Sequence, residues 1–308
     1  MPLHPVARQM LADAAASPRL NAHHLPVVEA RANFEGDLGG LTKPEVAETR
    51  EVQIPVRDAT QLHARLYLPT TSEGPLPVVV YFHGGGWLLG SIDSHDVATR
   101  RLALASRCAV LSVGYRRGPE NRYPAAINDA VDTVKWVSSG GLGRAVAHAK
   151  VAVAGDSAGG NLATVCAQVL RDEDGPSLRL QLLVYPVTSC DLDAGFDMAY
   201  EGHILYRDEM QWHQDNYLNK PEERTDPRVS PLLADLTNLP PAAVIVAECD
   251  PLRTQGLQYV EAMRRAGVAV DVFDAGTLVH GFFGLDEVFP EATRAMEFAG
   301  DQIAAAMA

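Results

Sequence analysis

Residues 151–163, VAVAGDSAGGNLA, surround one serine, Ser157, with five Gly or Ala residues within three positions on either side. Upstream, KVAVA is an apolar, strand-like run; downstream, AGGNLATVCAQVLRDED has helical spacing. The stretch therefore reads as a strand that turns sharply into a helix, with Gly155-Asp156-Ser157-Ala158-Gly159 at the turn. Small neighbours suit such a turn, because strand and helix must pass each other closely and the serine takes a strained backbone conformation. A hydroxyl held there stands at a helix N-terminus, where the Ala158 N–H faces any developing negative charge. G-x-S-x-G in this context is the pattern of a nucleophile elbow.

Outward from the elbow, six apolar runs alternate with helical segments: LPVVVYF (76–82), CAVLSVGY (108–115), KVAVAGD (150–156), LRLQLLVYP (178–186), AAVIVAE (242–248) and VAVDVFD (268–274). That alternation predicts an α/β fold with a parallel sheet covered on both faces. REVQIPVRD (50–58) and QLHARLYLP (61–69) add an antiparallel pair at one edge, giving a mostly parallel eight-stranded sheet. Ligands of such sheets bind beyond the carboxyl ends of the strands. Residues 1–45 carry a weak helical pattern and form an appendage, while 188–230 interrupt the alternation with an aromatic, helix-prone insertion. The insertion is expected to form a lid over a core made of 46–187 and 231–308, since long insertions in compact domains tend to be functional.

The chemistry-bearing residues fall just after strand runs. His83-Gly84-Gly85-Gly86-Trp87 offers a series of unobstructed backbone amides, the requirement for holding the oxyanion of an acyl intermediate. A phosphate loop is the alternative, but the terminal Gly-Lys-Ser/Thr is missing and no lysine occurs between Lys43 and Lys135. A serine hydroxyl needs a base, and the base an orienting acid. His280 and Asp250 follow the last two strand runs and supply them, with His83 as a rival base and Glu248 and Asp274 as rival acids. Asp156 adjoins the serine but should point away from it, a structural position. The remaining histidines show no metal-ligand spacing and are expected to be solvated; neither metal nor cofactor is implied. The aromatics Phe82, Trp87, Tyr185, Trp212, Phe282 and Phe283 are expected to wall a substrate pocket, Trp87 and Phe282 foremost.

The chain has 308 residues, 47% of them hydrophobic, enough for a large core. A net charge of −13 argues against nucleic acid and anionic membranes as partners. No run approaches the roughly 18 apolar residues of a membrane span, so stable membrane insertion is not expected. Four dispersed cysteines, Cys108, Cys166, Cys190 and Cys249, form no C-x-x-C pair and read as reduced thiols, which points to the cytoplasm.

With HGGGW, YRRGPENRYPAAINDA (115–130), GDSAGGN, CDPLR and HGF in this order, the sequence resembles the hormone-sensitive lipase family of bacterial carboxylesterases, in its GDSAG branch, over roughly residues 50–305. The resemblance implies an α/β-hydrolase fold and hydrolysis of short- to medium-chain acyl esters. It makes Ser157 the nucleophile, Asp250 the acid and His280 the base, with an oxyanion hole from Gly84, Gly85, Gly86 and Ala158. It also implies a helical cap built from residues 1–45 together with the insertion 188–230, a small-molecule ester as substrate and a homodimer through the last strand. The same constellation serves amide, lactone and acetylated-sugar hydrolysis, and receptors on this fold lack the histidine that is present here. The chain departs from the family pattern at Arg117, Gly118, Thr254 and Gln255.

Overall fold

Apolar runs become strands wherever both of their faces can be covered. The computed structural model describes residues 3–16, 21–38, 40–71 and 74–308, so that 1–2, 17–20 and 39 of the expected N-terminal appendage lie outside the described residues. Strands β1 (Glu48–Pro55), β2 (Gln61–Leu68), β3 (Leu76–Phe82), β4 (Ala109–Val113), β5 (Val146–Asp156), β6 (Gln181–Val184), β7 (Ala242–Val246) and β8 (Val270–Asp274) form one sheet in the order β1-β2-β4-β3-β5-β6-β7-β8. β1–β2 and β2–β4 are antiparallel and the rest parallel, as the sequence predicts. β6 is shorter than its apolar run because Tyr185 has φ +33° and Pro186 follows.

The helices are α1 (Pro5–Ala16), α2 (Val27–Leu38), α3 (Asp96–Ser106), α4 (Ala125–Ser138), α5 (Ala158–Asp172), α6 (Leu192–Gly195), α7 (Arg207–Tyr217), α8 (Arg253–Arg265) and α9 (Ala292–Met307). Alternate residues of the strands feed two cores. Val79 and Tyr81 of β3 join Leu102 of α3 and Ile303 of α9 on one face; Val78 and Val80 join Val134 of α4, Leu162 of α5 and Met263 of α8 on the other. This two-sided burial is why the strands are apolar at nearly every position.

Parallel register brings the strand ends level: Phe82 pairs with Gly155, Asp156 with Val184 and Val246 with Asp274. α1, α2 and a 3-10 turn at Ala22–His24 lie above this edge, and the turn packs on both α2 and α7. Arg31 docks α2 onto the loops below, donating from Nε to the Leu88 carbonyl at 2.8 Å, from Nη2 to that of Gly118 at 2.6 Å, and to both oxygens of Glu120. Ser91 Oγ adds a 2.8 Å bond to Glu35.

α5 leaves β5 so tightly that a Cβ on Gly159 would lie far inside contact with the Phe82 carbonyl oxygen, and one on Gly155 would strike the Gly159 backbone. Two glycines in the first turn weaken a helix by about 1 kcal/mol each; the close pass explains why they are there. Gly159→Ala is expected to destabilise the fold by about 3 kcal/mol, because the obstacle is backbone that cannot rotate away. Thermal unfolding of the variant checks this, and an unchanged Tm would show that α5 has room to move.

Candidate active site

The elbow is held from several directions. Ser157 sits at φ +54°, ψ −118°, a conformation costing a non-glycine residue on the order of 1–3 kcal/mol. The strain is retained because its N–H donates to Val184 O at 2.8 Å while its carbonyl accepts from Asn161 at 3.1 Å and Val187 at 3.2 Å. The Oγ thereby stands above the sheet edge, at the start of α5.

His280 arrives on the loop after β8 and Asp250 on the loop after β7. His280 Nε2 lies 2.9 Å from Ser157 Oγ, and Nδ1 lies 2.8 Å from Asp250 Oδ2. In the tautomer this pairing requires, Nδ1–H donates to the carboxylate and Nε2 accepts the serine proton. Asp250 is fully buried, and its other oxygen accepts from Leu252 N–H at 2.8 Å. Burial pushes His280 towards its neutral form, but the Asp250 charge and hydrogen bond outweigh it and raise the imidazole above the ordinary 6.5. The rivals lie elsewhere. His83 Nδ1 contacts its neighbour's carbonyl, Gly84 O, at 2.9 Å, and burial followed by the nearby His95 pulls it down to about 3. Asp274 pairs with Arg253 at 2.6 Å.

The glycine loop faces the serine across the elbow. Gly85 and Gly86 have φ of +106° and +60°, and the Gly85 carbonyl accepts from both Leu88 and Leu89, closing the loop. Among the described residues, no acceptor takes the N–H of Gly85, Gly86 or Ala158. Gly84 differs from the expectation: its N–H donates to Asp156 Oδ1 at 3.0 Å and is not available to a substrate oxygen. Asp156 points away from the serine and ties the loop to the elbow. Its Oδ1 also accepts from Tyr81 OH at 2.7 Å, and its Oδ2 lies 3.4 Å from His95 Nε2. Burial pushes the Asp156 carboxyl up, yet His95 and Tyr81 outweigh it and keep it below its ordinary range.

A cavity of about 620 Å³ opens beside His280, lined from the N-terminal segment by Met10, Leu25 and Phe34 and from the insertion by Ile204, Tyr206 and Glu209. Of the six aromatics expected to wall it, Tyr185 and Phe283 do so, and Phe82 is buried in the core. Trp87, at φ +61°, is swung into the protein and stacks on Tyr217 with centroids 4.6 Å apart. Phe282 is buried in the core that holds α3 and α9, its neighbour Phe283 taking the cavity wall instead. Trp212 packs on the opposite core, against the ring of His213. No group of His, Cys, Asp and Glu among the described residues is arranged to hold a metal ion.

The family model described as alpha/beta hydrolase fold matches residues 79–284, a span containing the serine, both loop partners and the glycine loop. The chain belongs to this α/β-hydrolase family. It is 40% identical over 241 residues to carboxylesterase NlhH of Mycobacterium tuberculosis, covering 77% of this chain and 76% of that protein. It is 35% identical over 282 residues to ethyl acetate hydrolase of Pseudomonas putida, covering 89% and 88%. Among solved structures, a hyperthermophilic esterase from the archaeon Pyrobaculum calidifontis superposes with a TM-score of 0.91 at 37% identity, covering 99% of each chain. These relatives fit the hormone-sensitive lipase resemblance of the motifs.

Within this α/β-hydrolase, several residues near the site escape sequence reading. His95 and His213, expected to be solvated, are 8% and 4% exposed. His213 lies against Gly86, and burial, with His23 and His280 nearby, brings it down to about 3. Glu209, one turn earlier on α7, is pushed up to about 7 by burial. Most positions of α7, RDEMQWHQDNY, are polar, so nothing in its sequence singles out Glu209 and His213. The departures from the family pattern also acquire a place. Gln255 Oε1 accepts from the amides of Thr188 and Ser189 at 2.6 and 2.9 Å, and its Nε2 donates to Gly195 O at 2.9 Å, bracing the start of the insertion. Thr254 is exposed. Arg117 donates to Gly90 O, and Gly118 N–H donates to Trp87 O at 3.0 Å, so both brace the glycine loop.

A base that works as neutral imidazole requires kcat/KM to rise with pH through an apparent pKa above 6.5, the ordinary histidine value. Asp250→Asn removes the charge that raises it, so the ascending limb should move to lower pH while the rate falls by roughly 10⁴-fold. A pH–rate profile of both proteins is the check; a limb that stays in place would disconnect Asp250 from the base.

Proposed function

We propose that this α/β-hydrolase cleaves carboxylic esters through an acyl-enzyme formed on Ser157. The observation that carries the reading is the continuous chain from Ser157 Oγ through His280 to the buried Asp250, at 2.9 and 2.8 Å. His280 Nε2 takes the hydroxyl proton as Oγ bonds to the ester carbonyl carbon, whose oxygen becomes the oxyanion. The amides of Gly85, Gly86 and Ala158 hold that charge, and the N-terminal end of α5 adds to the stabilisation. Collapse breaks the bond to the alkoxy oxygen, which leaves with the proton from His280. Water then attacks the acyl carbon, gives its proton to His280, and the acid departs as Oγ is reprotonated.

Support for short- to medium-chain acyl groups comes from the limited cavity, about 620 Å³, and from relatives named as an ethyl acetate hydrolase and carboxylesterases. The segments 1–45 and 188–230 together act as the cap, a reading supported by their joint lining of that cavity. β8 ends the sheet, so its outer edge is suited to strand pairing with a second copy of the chain. The four buried free cysteines suit a reducing cytoplasm.

Initial rates on p-nitrophenyl esters of increasing acyl length test the function. Turnover should peak at short chains and fall on the order of 10⁶-fold in Ser157→Ala, which removes one oxygen and leaves the elbow in place. A folded Ser157→Ala protein with undiminished turnover would overturn the nucleophile.

A further inference from the structure

The cavity is electrostatically one-sided. Among the described residues lining it there is no lysine or arginine, but there are three carboxyl groups, those of Asp13, Asp156 and Glu209. Asp156 is committed to Gly84, Tyr81 and His95. Asp13 is exposed on α1 and accepts from Gln9 at 2.7 Å. Glu209 is the inner one: its side chain is 15% exposed, and it lines the same space as His280. It lies in the first turn of α7, where a carboxyl stabilises the helix and its backbone partner is Tyr206. A solvent-facing carboxyl would do that equally well. Placing it instead in a largely apolar cavity carries a desolvation cost that a cationic ligand would offset.

Resting on the esterase reading above, we propose that Glu209 makes this cavity select esters by charge, favouring substrates that carry an ammonium group within a few carbon atoms of the ester. The carboxylate stands on the cap side of the site, so an ammonium on the acyl or alcohol chain that enters the cavity meets it while the ester carbonyl is at Ser157. The reaction itself is unchanged; the cation contributes to binding and orientation. No lysine or arginine among the described lining residues opposes Glu209. His213 Nε2 on α7 is 3.9 Å away and held neutral, and His23 of the Ala22–His24 turn is likewise pulled down by burial, then by His24. Asp208, beside it on α7, and Asp13 of α1 add negative charge. His280, from the loop after β8, and His95, next to the start of α3, are imidazoles of the same cavity whose pKa is raised, against burial, by Asp250 and by Asp156 respectively.

The test compares butyrylcholine with its uncharged isostere, 3,3-dimethylbutyl butyrate, as a ratio of kcat/KM values. In the native protein the ratio should exceed one at pH 8. It should drop roughly tenfold in Glu209→Gln, the size of one partly desolvated charge pair, and recover in part in Glu209→Asp. The native protein gives a second reading that needs no variant. Burial brings the Glu209 carboxyl up to about 7, so its anionic form, and with it the ratio, should grow from pH 6 to pH 8. The quaternary ammonium does not titrate, and the demand for neutral His280 is common to both substrates and cancels. A ratio that stays flat with pH and is unmoved in Glu209→Gln overturns the charge selection. Failure of the underlying esterase reading looks different: the uncharged ester would not be hydrolysed at all, or would be hydrolysed equally by Ser157→Ala.

Discussion

The catalytic edge of this protein depends on how closely α5 passes the end of β3. The Phe82 carbonyl occupies the space a side chain on residue 159 would need, so the helix can start where it does only with glycine there. That one approach sets the height of Ser157 above the sheet, its left-handed backbone, and the direction of the Ala158 amide. Because β3 also leads into His83 and the glycine loop, the strand that limits α5 carries the amides facing the serine. The proposed nucleophile and oxyanion site are thus positioned by one contact, and an error in it would displace both.

Two carboxylate–imidazole pairs flank the serine, with different tasks. Asp250 and His280 form the pair in contact with Oγ. Asp156 and His95 form the other, directed beneath the glycine loop, where Asp156 takes the Gly84 amide. Adjacent residues 156 and 157 project to opposite sides of the turn, so the chain holds a fixed negative charge beside the proposed nucleophile without offering it as a competing base. Tyr81 and His95 satisfy that buried charge, which otherwise would be costly.

Much of this was legible in the sequence because it rests on local signals. Six apolar runs alternating with helical segments and one antiparallel pair gave the eight strands, and residues immediately after the runs gave Ser157, Asp250 and His280 a common edge. The four-residue β6 escaped because its apolar run continues past the turn at Tyr185. Pocket aromatics were harder. Whether Trp87 faces a ligand or Tyr217 is decided by a positive φ that no residue type announces, and Phe282 and Phe283, both expected at the pocket, face opposite ways on one short loop so that only Phe283 reaches it. Gly84 was misplaced for a related reason: a free amide and an amide bound to Asp156 have the same sequence. Glu209 and His213 depend on how α7 docks, which is set by contacts with residues nearly two hundred positions earlier.

Arg31 fixes α2 to Leu88 and Gly118, just beyond the glycine loop, yet makes no bond to the sheet itself. The chain accordingly separates a reaction frame from a wall that is carried by α1 and α2 and attached through two backbone carbonyls and the side chains of Glu120 and Ser91. Carbonyl oxygens are indifferent to which side chain their residue carries, so the part of the anchor made to Leu88 and Gly118 survives sequence change at those positions, whereas the part made to Glu120 and Ser91 does not. A wall mounted in this way is interchangeable: replacing α1 and α2 by other helices bearing one well-placed arginine would reshape the space around the ester while the reacting groups stay where they are.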